Sequence, residues 1–324
     1  MMKSNSSLPQ SDEESGRFEI VSCLSCGETS NRDFIFAQDD LTGKPGKFRF
    51  VKCSSCGLAY QSPRLRLDPI KEFYDNEYIA HRRKTNGGWL APLLSWVLNG
   101  VERRKERLTR QYAQIRTATE VLDVGCGAGG FLQRLRERHG AKTTGLDFKD
   151  LSGHPSLVGS RFYCGIFYEQ NFNGKRFDLI TMWHFLEHDY DPAQSLATAG
   201  ELLADDGRLI IEVPRLDSRT AAWFGDRWPG LQAPQHTILF DREHLEKMAK
   251  SAGLQVVEYL PYGAFPAYYY LFTGVAFKLL RGRGLNVHRA LLPYFLGQVL
   301  LFPVMLFERK LNLAMQTIVC RKAS

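Results

Sequence analysis

The sequence predicts a doubly wound α/β fold, and three observations carry that reading. Short apolar runs alternate with helical stretches from residue 118 to the end of the chain. The first run ends in a glycine loop that opens a helix, and the next ends in an acid. The runs are apolar on both faces, as strands covered by helices on both sides must be. The expected sheet is parallel, with a small module before it and an apolar helical insertion before its last strand.

Residues 1–16 (MMKSNSSLPQSDEESG) are polar and hold no apolar stretch of the kind an export signal needs. They read as a disordered tail, and the chain reads as cytoplasmic. Structural disulfides are rare in that compartment. Four of the seven cysteines nevertheless form two matched knuckles, Cys23-Leu24-Ser25-Cys26-Gly27 and Cys53-Ser54-Ser55-Cys56-Gly57. Tetrahedral zinc takes four thiolates, and each knuckle offers two from one tight turn. Residues 17–63 therefore read as a zinc-ribbon-like module, with Cys23, Cys26, Cys53 and Cys56 as ligands of a structural Zn2+. A hairpin over 34–50 accounts for the 26 residues between the knuckles. Two reduced, metal-free turns are the alternative. Cys126, Cys164 and Cys320 stand alone and read as small core residues.

Residues 64–116 read as a basic helical linker or lid. They carry an apolar patch with Trp89 and Trp96, then a charged helix start at 102–107. Tyr74 and Tyr78 either lid a ligand or pack in the core. The sheet follows in 117–324. Its expected strands are 120–124, 143–147, 177–182, 208–213, 254–260 and 315–321, with helices at 130–139, 192–204 and 241–252. The Asp206-Gly207 turn introduces one strand, and Gly253 stops the helix before another.

The loop Asp123-Val124-Gly125-Cys126-Gly127-Ala128-Gly129-Gly130 lets backbone approach a ligand closely. Asp147, at the end of the next strand, is placed to accept both hydroxyls of a ribose. No lysine followed by serine or threonine closes the loop, which excludes a P-loop.

Residues 121–129 (VLDVGCGAG) resemble motif I of class I S-adenosylmethionine-dependent methyltransferases. The resemblance runs over 118–260 and more loosely to the last strand. Residues 183–192 (WHFLEHDYDP) resemble the segment after strand 4 of small-molecule methyltransferases, the ubiquinone-biosynthesis O-methyltransferases among them. Residues 51–58, 213–218 and 234–236 are similar to methyltransferases of sugars and surface polysaccharides. The resemblance implies a Rossmann-like, seven-stranded sheet and S-adenosyl-L-methionine as cofactor. Gly125, Gly127 and Gly129 would make room for its methionine part, and Asp123 would hold its amino group. Asp147 would bind the ribose, and Phe148 would lie against adenine. Many relatives carry an acid near the adenine amine after strand 3; Tyr163-Cys164-Gly165 offers none.

Methyl transfer needs alignment above all, and a nucleophile of high pKa also needs its proton removed. His184 and His188 follow the fourth strand, and His236 lies in the loop after the fifth. These three histidines are the candidate catalytic residues; for His236 a loop histidine hydrogen-bonded to backbone is the alternative. His184, Glu187 and His188 also share one face of a helix, so a metal that acidifies the acceptor is a second reading. A third has Glu187 and His188 closing the cofactor loop.

Lysine and arginine exceed aspartate and glutamate by 42 to 35. Residues 264–324 hold eight of the cations against Glu308, and residues 82–116 hold nine against Glu102 and Glu106. Each segment is therefore +7, and the remainder sums to −7. The cations flank the two most apolar parts of the chain. In the insertion 264–307, residues 264–280 contain one charge, Lys278, and residues 290–307 contain none. Both stretches fall short of the ~20 apolar residues of a spanning helix, and Pro293 and Pro303 kink the second. A monotopic hairpin fits, with tyrosines 268 to 270 at the interface and the arginines of 281–289 at phosphates. A helical lid or a dimer interface is the alternative. The expected partners are an anionic membrane surface and a small or lipid-linked acceptor, such as a sugar or polyprenyl compound. Nucleic acid is disfavoured, since Trp183-His184-Phe185-Leu186 stands where base-amino methyltransferases carry an Asn/Asp-Pro-Pro-Tyr/Phe motif. A non-catalytic docking protein and an RNA methyltransferase remain the alternatives.

Overall fold

The computed structural model describes residues 16–74, 91–280, 283–285 and 287–323. Tyr78, Trp89 and Arg281 lie outside the described residues, as do the side chains of Trp96 and Arg289.

Five short strands come first: β1 (Phe18–Glu19), β2 (Asn31–Ala37), β3 (Phe48–Cys53), β4 (Ala59–Gln61) and β5 (Arg64–Leu65). Helix α1 (Ala91–Tyr112) leads into the α/β part. There the chain runs β6 (Glu120–Val124), α2 (Gly130–His139), β7 (Lys142–Asp147), β8 (Arg161–Cys164), β9 (Phe177–Trp183), α3 (Pro192–Leu202) and β10 (Leu203–Pro214). It continues through α4 (Arg219–Phe224), β11 (Ile238–Leu239), α5 (Arg242–Ser251), β12 (Leu254–Leu260), α6 (Ala267–Leu280), α7 (Val287–Leu300) and β13 (Met315–Lys322).

The helix boundaries follow local chemistry. The Asp191 carboxylate accepts from Gln194 N, with Pro192 opening α3. The Asp241 carboxylate accepts from His244 N at the start of α5. Gly140, in the left-handed conformation, ends α2.

The main sheet has seven strands in the order β12-β13-β10-β9-β6-β7-β8. Val121, Leu122, Ile180, Met182 and Ile211 in its central strands are fully buried, which explains their unbroken apolar runs. The strand order reverses between β6 and β9, so a crevice opens above the carboxyl ends of these two strands.

Two expectations change. The sheet is mixed, because β13 runs antiparallel to both β10 and β12. An apolar run has no direction; the connection sets it, and here the chain returns through the insertion before entering β13. The boundary expected at residue 63 is also crossed. β11 pairs with β4, Ile238 opposite Tyr60 and Leu239 opposite Ala59. The module's sheet, β11-β4-β3-β2, therefore contains a strand from the α/β part.

The insertion packs on the protein by one side. Tyr268, Tyr270 and Phe277 of α6 are buried. Tyr270 lies against Trp228 and Tyr268 against Tyr294 of α7. Tyr268 and Tyr270 are thus core residues, not interfacial ones. The far end differs: Leu296, Val299, Leu300, Phe302, Leu306 and Phe307 are exposed. Among the described residues no helix is long and apolar enough to cross a membrane.

Candidate active site and cysteine centre

The cofactor loop is held from below by the neighbouring strand. Gly125 N and Cys126 N both donate to Leu146 O, and Gly127 N donates to an Asp147 Oδ2 3.0 Å away. Gly125, Gly127 and Gly129 have φ of 73°, 51° and 77°, all left-handed. At Gly129 the need is steric as well, since a Cβ there would stand 2.3 Å from Leu157 Cδ2. Asp147 is buried at the end of β7, and Phe148 beside it is exposed. The Tyr74 ring meets Phe148 at 4.9 Å between centroids. Cys164 is exposed on the same side, not a core residue as expected, and its Sγ contacts Phe148 O.

Asp123 lies deeper, accepting from Thr181 Oγ1 at 2.6 Å. Burial pushes its carboxyl up to about 7, against the pull of Lys105 and Thr181. Lys105 comes from α1, in the charged stretch that the sequence offered only as a basic helix start. Its Nζ lies 3.6 Å from Glu102 Oε2 and over the Trp183 and Phe131 rings. Glu102 in turn packs beside Gly130, the first residue of α2. One ammonium and the carboxyl groups of Glu102 and Asp123 therefore gather beside the glycine loop. Such a set of donors and acceptors suits a zwitterionic amino-acid group. Asp147, the glycine turns and this polar cluster fit the cofactor that the resemblance implies.

The three candidate bases differ. His184 has φ +54°. Its Nδ1 lies 3.3 Å from Glu187 Oε1 and its Nε2 lies 3.2 Å from Glu212 Oε1. Burial disfavours charge on the ring, but the two carboxylates outweigh it and bring the imidazole up to about 9. His184 therefore lies between two carboxylates that favour its charged form, an environment that suits an ion pair more than a proton acceptor. The candidate metal-ligand group among the described residues joins Glu187 and His188 to His236, without His184.

His188 and His236 meet edge to face, with ring centroids 4.5 Å apart. His236 Nδ1 lies 2.8 Å from Gly230 O, and His188 Nδ1 lies 3.0 Å from Gln235 O and 2.8 Å from Tyr74 Oη. Carbonyl oxygens only accept, so His236 Nδ1 carries the proton and its Nε2 keeps a lone pair; at His188 the Gln235 carbonyl favours the same tautomer, while the Tyr74 hydroxyl can either give or take a proton. Burial lowers both imidazoles, His236 well below its ordinary value, with the neighbouring His188 adding to the effect. Burial thus favours the neutral form of both rings. Glu187 is buried beside them; its Oε1 faces the His184 ring at 3.3 Å, and neither oxygen meets hydrogen-bond geometry among the described residues. Glu187, His188 and His236 each bring a ligand atom within 4.8 Å of the others. The three could gather around a hydroxyl, a proton or a cation.

The four knuckle cysteines converge as their spacing implied. Cys23 Sγ and Cys56 Sγ are 3.5 Å apart, as are Cys26 Sγ and Cys53 Sγ, and all four lie within 4.8 Å of one another. Thiolates on one zinc at ~2.3 Å bonds stand about 3.8 Å apart, so the set fits that ion. Burial opposes ionisation of Cys53, but N–H groups of Cys56 and Ser55 bring its thiol down to about 7. His244 of α5 ties the centre to the α/β part through a 2.9 Å contact from Nε2 to Cys56 O.

Comparisons with known proteins agree with this geometry. The family described as a methyltransferase domain matches residues 98–259, half of the chain. The ubiquinone biosynthesis O-methyltransferase of Nitrosococcus oceani is 31% identical over 159 residues, 45% of this chain and 62% of that protein. Its counterpart in Serratia proteamaculans is 32% identical over 115 residues, 32% of this chain and 45% of that protein. The chain spans less than two thirds of the length of these curated relatives. Among solved structures, the cyclopropane synthase MmaA2 from Mycobacterium tuberculosis is similar at a TM-score of 0.46 and 17% identity, over 67% of this chain and 83% of that chain. With half of its length matched, and with the glycine turns, Asp123 and Asp147 in place, the chain belongs to the class I S-adenosylmethionine-dependent methyltransferase family.

Proposed function

We propose that the protein transfers a methyl group from S-adenosylmethionine to a hydroxyl-bearing small or lipid-linked acceptor. The observation that supports this reading is the edge-to-face pair of His188 and His236, both lowered by burial, beside the glycine loop and Asp147. When bound, the cofactor supplies the methyl group and the leaving sulfur. Asp147 would hold the ribose hydroxyls and Phe148 would lie against the adenine. Lys105 would pair with the carboxylate of the methionine part, and Asp123 and Glu102 would take its ammonium. The donor chemistry is already in the cofactor, so alignment is the protein's main contribution. His236 Nε2, or His188 Nε2 beside it, accepts the acceptor's proton, and the Nδ1–H bond to a carbonyl fixes the ring for that task. His184 does not take part as a base; it holds Glu187 and Glu212 in register.

The acceptor is lipid-linked and is met at an anionic membrane face, on this reading. The exposed apolar residues of 296–307 support it, with Arg309 and Lys310 exposed beside them. α1 brings the second basic segment to the same region, for Arg104 contacts Glu308 at 3.4 Å. Apolar side chains flanked by cations suit acyl chains beneath phosphates. The test is incubation of the full chain with methyl-labelled S-adenosylmethionine and a membrane lysate, followed by organic and aqueous extraction. Label entering the organic phase supports the reading, and label confined to water rejects the lipid acceptor. No labelled product at all would reject the transferase.

A further inference from the structure

Gln61 ends β4 and is fully buried. Its main-chain N–H donates to Thr237 O at 2.8 Å. Its side-chain Nε2 donates to Pro234 O at 2.9 Å and to His236 O at 2.5 Å. Two carbonyls around one atom identify that atom as the amide nitrogen. All three acceptors belong to the loop that carries His236. The loop is gripped on its other side by Thr237, whose N donates to Glu187 O and whose Oγ1 donates to Asp189 O. Gln235 Nε2 adds a bond to Phe73 O.

The grip leads back to the cysteine centre. Cys53 N bonds to Leu58 O across the second knuckle, and Leu58, Ala59 and Tyr60 run on, buried, into Gln61. β3, which ends in Cys53, pairs with β4 on one side, and β11 pairs with it on the other. The cofactor loop stands apart from this chain of contacts. Its N–H bonds go to Leu146 and Asp147 of the main sheet.

We propose that Gln61 is a positioning residue for His236, through which the metal-held cysteine module sets the acceptor side of the site while leaving the cofactor side independent. By holding the carbonyls of Pro234 and His236, the Gln61 amide keeps the His236 ring on Gly230 O and edge to face with His188. The four thiolates fit a zinc ion, and that ion would fix the turn from which β4 departs. The inference rests on the reading of His236 as an acceptor-side base.

The test needs no acceptor. In the full chain, Gln61→Met removes both side-chain donors at nearly constant volume, and Cys26→Ser weakens the metal centre. Amide exchange at 233–238, the histidine nitrogen NMR signals and S-adenosylhomocysteine binding are then measured. We expect exchange in that loop to rise about tenfold or more in Gln61→Met. The His236 signals should move, exchange at 121–130 should stay, and ligand affinity should hold within about twofold. Cys26→Ser should loosen the same loop selectively. Unchanged exchange and unchanged His236 signals in Gln61→Met would overturn the proposal. So would a rise in exchange at 121–130 equal to that at 233–238, which marks general destabilisation. If Cys26→Ser does not fold, Gln61→Met decides alone. Failure of the unaltered chain to bind the ligand would sink the functional reading, while the exchange and NMR results would still decide the positioning role.

Discussion

His184 Nε2 and Glu212 Oε1 lie 3.2 Å apart at the carboxyl ends of neighbouring strands, and the same carboxylate accepts the N–H groups of Ala264 and Phe265. The pair therefore ties the reaction end of the sheet to the first residues of the insertion. Gly263 makes room for it, since a Cβ there would stand 2.5 Å from the Glu212 carboxyl carbon. The Phe265 ring lies 5.0 Å from the His184 ring.

This pair gives a pH dependence of stability with a definite sign. The His184 imidazole is raised in the folded chain from 6.5 to about 9. Its contribution is fully present below about 6.5 and is lost as pH rises through about 9. Glu212 is depressed, against burial, by His184 and by the N–H groups of Ala264 and Phe265, so its contribution fades as pH falls through the acid range. In denaturant unfolding, His184→Gln should lose roughly 1–3 kcal/mol at neutral pH and less at alkaline pH. Parallel curves for the two proteins across that range would reject the ion pair.

Gly129→Ala should be costly for two reasons on the page. Its φ is left-handed, and the new Cβ would meet the Leu157 side chain at 2.3 Å. We expect a loss of about 2–4 kcal/mol, with weaker cofactor binding. Gly100→Ala is the contrast. It lies inside α1 with nothing near its missing Cβ, so it should gain about 0.5–1 kcal/mol. Thermal melts of both variants check this.

The cysteine centre should hold one zinc per chain by elemental analysis. Cobalt in its place should show the charge-transfer absorption of thiolate ligands. Cys53→Ser should lower both the metal content and the melting temperature. Full metal content in that variant would mean that the four sulfurs do not share one ion.

The exposed end of the insertion should bind anionic vesicles in preference to zwitterionic ones. Leu300→Glu together with Phe302→Glu should abolish cosedimentation while leaving the far-ultraviolet spectrum unchanged, because both side chains are exposed. Equal binding to neutral vesicles would remove the role of the cations.

The cofactor loop was legible in the sequence because it is local. A strand, three alternating glycines, a helix and a following acid all lie within 120–147, and each leaves a compositional mark. The cysteine centre was legible for the same reason. Lys105 was not, because it reaches the crevice from a separate helix and looks in sequence like any solvent-facing cation. The place of His184 after the fourth strand marks it as a candidate base, but the sequence does not show Glu212, which arrives from the next strand and lies 3.2 Å from its Nε2. β11 was invisible, since two residues, Ile238 and Leu239, carry no periodicity and gain their strand only by pairing with β4. The direction of β13 was hidden because burial on both faces gives the same apolar run whichever way a strand points.

The most direct test is calorimetric titration of the chain with S-adenosylhomocysteine, repeated on Asp147→Ala. Asp147 is expected to make charge-assisted bonds to the ribose, each worth roughly 1.5–3 kcal/mol. One saturable site in the unaltered chain, weakened about tenfold or more in Asp147→Ala, is the expected result. No binding at millimolar ligand, or equal affinity in the two proteins, would contradict it.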